Sequence, residues 1–109
     1  MATKIEWSEK SVSNLNHIYD FIAKDSPTYA KRFVKSLIET TEKQLFKFPL
    51  IGRPAPEFQN TPVNFLKEVM YKGYRIIYLH SDSSEKICII AVINGRQDII
   101  KNVKPDWVL

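Results

Sequence analysis

Lys67-Glu68-Val69-Met70-Tyr71-Lys72-Gly73-Tyr74-Arg75-Ile76-Ile77-Tyr78 is the stretch that decides the fold. Its apolar residues recur with a period of two, and the residues are β-branched or aromatic on both sides of Lys72-Gly73. Lys72-Gly73 therefore reads as a two-residue hairpin loop that pairs Tyr71 with Tyr74, Met70 with Arg75 and Glu68 with Ile77. Arg75 and Glu68 then share one face of the hairpin, while Val69, Tyr74, Ile76 and Tyr78 share the other. A third run, Lys86 to Ile93, follows the turn Ser81-Asp82-Ser83-Ser84-Glu85, so the expectation is a three-stranded antiparallel meander. Lys4 to Trp7 is expected to add a further strand that ties down the N-terminus.

Upstream the period changes to that of a helix. Ser8 is placed to cap a helix, with Trp7 and Val12 at staple spacing, and Val12, Leu15, Ile18, Tyr19 and Ile22 form a stripe ending near Asp25. Ser26-Pro27 restarts a helix, with serine as cap and proline at the first position, where its missing N–H costs nothing. Its stripe is Ala30, Phe33, Val34, Leu37, Ile38, Thr41 and Leu45. The two helices form a hairpin that needs an apolar covering, and the tyrosine face of the sheet offers one. The predicted architecture is α+β, an N-terminal helical hairpin on one face of a three- to four-stranded antiparallel sheet, with 1–109 as one domain. The Arg75 face is expected to be uncovered.

Composition narrows the function. With 44% apolar and 26% charged residues the chain is of ordinary globular type, and no apolar run approaches the roughly 18 residues needed to cross a bilayer. A lysine and an acid stand where a secretion signal would be apolar, and Cys88 is the single cysteine, so a cytoplasmic protein without disulfides is expected. Cys88 lies in the third strand and reads as a core filler. The net charge of +4 favours acidic partners. It is spread evenly, eight basic and six acidic groups in each of residues 1–50 and 51–109, so any cationic site must be assembled by folding. Lys31, Lys35, Glu39, Lys43 and Lys47 recur every four residues and read as a solvated helix face.

There is no glycine-rich phosphate loop, metal-binding histidine pair or nucleophile motif. Neither a cofactor nor a metal is expected, and His17 and His80 read as surface and strand-end residues. Pro49, Gly52, Pro54, Pro56 and Pro62 stiffen the connection between helices and sheet, and Arg53 within it either ties the loop to a neighbour or faces a substrate. The residues left for function are Lys67, Glu68, Arg75 and Arg96. An arginine in mid-strand requires a partner. Glu68 offers one without excluding a second role toward a target.

Taken in order, Ile18-Tyr19-Asp20-Phe21-Ile22, Ala30-Lys31-Arg32-Phe33, Phe48-Pro49-Leu50-Ile51-Gly52-Arg53-Pro54, Lys67-Glu68-Val69, Gly73 to Tyr78 and Ile89 to Arg96 resemble the RelE/ParE superfamily of type II toxin–antitoxin toxins. The similarity is greatest to its ParE branch, the plasmid stabilisation toxins. The resemblance implies a bacterial growth-arresting toxin that is neutralised, in a hetero-oligomer, by a cognate antitoxin with an acidic tail. ParE-like members act on DNA gyrase, whereas RelE-like members cut messenger RNA on the ribosome. In the ribonuclease reading, Arg75 and Arg96 hold the phosphate and Lys67 or Glu68 serves as acid or base. Against it, the segment from Gln97 to Leu109 has no tyrosine or histidine to carry a proton. The expectation is therefore a gyrase-binding toxin with Arg75, Arg96, Lys67 and Trp107 on its contact surface. The alternatives are a ribosome-dependent endoribonuclease and a non-toxic orphan that keeps only antitoxin binding. Lys67 and Asn94 stand where the family commonly has arginine and histidine.

Overall fold

The computed structural model describes residues 4–62, 64–81 and 83–95. Strand β1 (Lys4–Trp7) leads into helices α1 (Glu9–Ala23) and α2 (Pro27–Lys47). A two-residue strand β2 (Arg53–Pro54) and a 3-10 turn (Pro56–Phe58) follow, and then the meander β3 (Lys67–Tyr71), β4 (Tyr74–Ser81) and β5 (Lys86–Asn94). The sheet order is β1-β5-β4-β3-β2.

The helix starts form as the sequence predicts. The Ser8 hydroxyl accepts from the Ser11 amide at 3.0 Å and that of Ser26 from the Tyr29 amide at 3.1 Å. The stripe of α1 is rotated from the expected one: Val12 is exposed and Ser11 is fully buried in its stead. A serine is tolerated there because its hydroxyl donates to the Ser8 carbonyl at 2.7 Å, so no buried polar group is left unpaired. Along α2, Ala30, Phe33, Leu37, Thr41 and Leu45 are buried as expected. Of these, Phe33, Leu37 and Leu45 pack with Leu15, Ile18, Val69, Ile76, Tyr78, Ile87, Ile89 and Val92 into one core, the helix side of the sheet.

The Lys72-Gly73 turn has φ of 45° and 89°, the doubly left-handed backbone of a tight hairpin. The β3–β4 register is the predicted one, Tyr71 with Tyr74 and Glu68 with Ile77. Two features correct the expected sheet. It has five strands and is mixed, because β1 runs parallel to β5, from Lys4 opposite Lys86 to Trp7 opposite Ile89. A tie of this kind needs only the free edge of β5, and hydropathy does not set its direction. The fifth strand is the short pairing of Arg53 with Glu68 and Pro54 with Lys67. A proline is acceptable there because β2 lies at the edge.

The Arg75 face, expected to be open, is covered. Ala55, Phe58 and Leu66, all from the proline-rich connection, pack against Ile77, Ile90, Ala91 and Ile93 as a second core. The molecule is thus three-layered: helices, sheet, and a stiff loop. A register slip at Ile77/Tyr78 makes Ile77 face Ala91 and Tyr78 face Ile89. Ile90 and Ala91, adjacent in sequence, consequently both serve the loop-side core, and because Ile87, Ile89 and Val92 serve the helix-side core, β5 is covered on both faces and reads as an unbroken apolar run.

Candidate functional site: a buried arginine–carboxylate cluster

The hairpin register places Arg75 diagonally across from Glu68 on the loop side of the sheet. The β2 pairing sets Arg53 directly opposite the same glutamate, and the 3-10 turn brings Glu57 over the top. Glu68 is the hub. Its Oε1 accepts from Arg75 Nε at 3.1 Å and from Arg75 Nη2, and its Oε2 accepts from Arg53 Nε at 2.9 Å and Nη2 at 2.8 Å. Glu57 grips the far edge of the same guanidinium in a fork, accepting from Arg75 Nη1 at 2.5 Å and Nη2 at 2.7 Å.

Burial ranks the four residues. The Glu68 side chain is 0% exposed and that of Arg75 8%, whereas Glu57 retains 30% and Arg53 65%. Two guanidinium and two carboxylate groups balance in charge, as burial of ions requires. The Arg75 guanidinium holds the Glu57 carboxyl below the usual carboxylate range, and Glu57, then Glu68, push Arg75 further up than an ordinary arginine. Both oxygens of Glu68 are committed to arginines, and so are both edges of Arg75 to carboxylates.

A second buried device abuts the cluster. The fully buried Tyr78 donates its hydroxyl to the Pro49 carbonyl and accepts from the Gly52 amide, each at 2.9 Å. Gly52 is required by space: a Cβ there would sit 2.5 Å from the Tyr78 hydroxyl oxygen and 2.8 Å from the Glu68 carbonyl oxygen. Tyr78 and the ion cluster together pin the connection from residue 49 to residue 58 onto the sheet.

Of the residues singled out from sequence, the structure joins Glu68 with Arg75 and adds Arg53 as a loop tie. Lys67 alternates to the opposite side of β3 and is half-buried beside Leu66 and His80. Arg96 and Trp107 lie outside the described residues. Glu57 was missed; the available signal was one mid-strand glutamate against two arginines that needed partners. Among the described residues no cluster of three His, Cys, Asp or Glu side chains suits a metal ion, and no helix is long and apolar enough to cross a membrane. The Cys88 thiol is half-buried, and burial pushes its pKa up, which lowers its reactivity.

Residues 5–99 match the family model of the ParE toxin of the type II toxin–antitoxin system parDE. No curated protein matches the sequence. Among solved structures, a chain of the chromosomal ParDE system from P. aeruginosa superposes with a TM-score of 0.65 at 18% identity, covering 84% of this chain and 94% of its own. A chain of the RelBE2 toxin–antitoxin complex from Mycobacterium tuberculosis gives 0.62 at 17% identity, covering 86% and 99%. A mutant E. coli toxin RelE in the free state gives 0.55 at 14% identity, with both chains fully covered. At these identities the likeness is one of fold.

Proposed function

Because the chain belongs to the ParE toxin family of type II toxin–antitoxin systems, we propose that it arrests growth in the cytoplasm by binding and inhibiting DNA gyrase. A cognate antitoxin with an acidic tail holds it inactive in a toxin–antitoxin hetero-oligomer, as antitoxins accompany toxins in the similar ParDE and RelBE2 structures.

The observation that carries the inhibitor reading is the engagement of Arg75 and Glu68. A scissile phosphate at Arg75 would have to displace the forked Glu57 carboxylate, and a Glu68 acting as acid or base would have to leave two arginines. Leaving either ion buried without its partner is costly. A binding role needs no such rearrangement. In this reading Arg75 is a positioning residue that holds the connecting loop in place, and Lys67, Arg96 and Trp107 contact the target or antitoxin.

Supercoiling of relaxed plasmid by purified gyrase tests the proposal. Activity should fall as the toxin approaches the enzyme concentration and recover when antitoxin is added. Unchanged supercoiling at a large molar excess of toxin would refute it.

A further inference from the structure

The buried stripe of α2 ends at Leu45, yet Phe46, Phe48, Leu50 and Ile51 follow within six residues and are all exposed, Phe48 and Leu50 to 59% and 60%. Phe65, exposed as well, lines a hollow together with Leu50. Large apolar groups gathered in this way mark an interaction site more often than scattered ones do.

Three hollows join into a track around this end of the molecule. The first, between β1 and α2, holds Phe46 and Lys47. The second shares Lys47 and runs through residues 48–51, and the third shares Leu50 and reaches Phe65 and Lys67. The middle of the track is held in shape: the Ile51 amide donates to the Phe48 carbonyl at 3.1 Å, and the Tyr78 hydroxyl grips Pro49 and Gly52 from beneath. A surface fixed beforehand has met much of its share of the ordering cost of binding. Hollows strung in a line suit a length of chain laid along them better than a flat, rigid face.

Charge and apolarity select that chain. Lys43 and Lys47 line the first hollow and Lys67 the third, and none of the three is ion-paired among the described residues. Lys4, also in the first hollow, is offset by Glu6 at 3.0 Å. Among the described residues Glu42 is the single acid in the three linings, and its carboxylate accepts from Trp7 Nε1 at 3.1 Å. Three unpaired lysines against one acid leave the track basic. A second copy of it would bring like charges together, whereas an acidic segment bearing apolar side chains complements it. Permanent partners also bury more apolar surface than partners met in passing, and in the toxin reading the permanent partner is the antitoxin.

We propose that the acidic tail of the antitoxin lies along this track, with apolar side chains in the hollows around the 48–51 turn and carboxylates against Lys43, Lys47 and Lys67. This rests on the reading of the chain as a toxin held inactive by an acidic-tailed antitoxin. Two paired variants test it, Phe48→Ser with Leu50→Ser and Lys43→Glu with Lys47→Glu. The altered side chains are exposed, so thermal melting should match wild type. Each purified variant is titrated with the full-length cognate antitoxin at low and high salt, and each is induced in cells with and without that antitoxin. The serine pair should bind about thirty-fold more weakly, the scale of one hot-spot loss. The glutamate pair should bind more weakly at low salt and approach wild type at high salt, where the charges are screened. Both should still arrest growth, and the antitoxin should no longer rescue the cells fully.

Wild-type antitoxin affinity in both pairs would overturn the proposal. Growth arrest lost while antitoxin affinity is kept would assign the track to the target and overturn it equally. A wild-type chain that binds no antitoxin would instead fail the toxin–antitoxin reading, and the track with it; binding by wild type with no loss in the variants fails the track alone.

Discussion

Replacing Arg75 by alanine isolates what the ion cluster contributes. The substitution leaves Glu68, whose side chain is 0% exposed, with Arg53 as its single partner, and Arg53 is 65% exposed and easily drawn into water. Glu57, already 30% exposed, turns to solvent at little cost. Breaking a buried ion pair from one side costs about 3–5 kcal/mol, and the surviving Arg53 contact puts Arg75→Ala near the lower end, about 3 kcal/mol. That is a large fraction of the roughly 5–15 kcal/mol by which domains are stable. The matching Arg53→Ala leaves Glu68 with its buried partner and removes a mostly solvated one, so it should cost about 1 kcal/mol or less. Urea denaturation followed by circular dichroism measures both, with an unchanged m value showing that stability alone has moved. The double replacement Glu68→Leu with Arg75→Met removes both buried charges and should recover much of the loss. An Arg75→Ala cost no greater than that of Arg53→Ala would refute the assignment of Arg75 as the buried clamp.

Three further outcomes follow from the same geometry. Gly52→Ala drives a methyl group against the Tyr78 hydroxyl and the Glu68 carbonyl; it should destabilise the fold by about 1–3 kcal/mol, read as a lower melting temperature. Asn14→Ala removes the carbonyl oxygen that accepts from the Val92 amide at 3.0 Å and should cost about 1–3 kcal/mol, the scale of a buried donor left unpaired. Glu57 titrates below its ordinary value of 4.5 because Arg75 holds the charged form. Its contribution to stability is present above that value and is lost as pH falls through the lower folded one. The stability gap between wild type and Glu57→Gln, measured by urea denaturation, should therefore be constant near neutrality and close as the pH drops below 4.5.

The sequence made the local elements legible because each carries its own signal. Ser26-Pro27 set a helix start, Lys72-Gly73 set a turn, and that turn fixed the register that joins Glu68 to Arg75. The covering of the Arg75 face was not legible, because Ala55, Phe58 and Leu66 lie in a proline-rich stretch without periodicity. Their apolar character hinted at burial, but only the path of the loop says against what. Glu57 was hidden for the same reason: its partner Arg75 is 18 positions away, and the fold alone brings them together. Strand β1 could be anticipated as a tie, but its parallel direction depends on which edge of the sheet the helical hairpin leaves open. Ser11 shows the limit of hydropathy counting, since a local hydrogen bond let a serine take a place expected of Val12.

The central claim, a toxin that acts by binding gyrase rather than by cutting messages, is tested most directly by inducing the chain in growing bacteria and following two quantities together. DNA synthesis is measured by labelled thymidine, and the integrity of translated messages by primer extension. The account predicts that DNA synthesis stops while the messages remain whole. Messages cut at codon-spaced positions while DNA synthesis continues would contradict it.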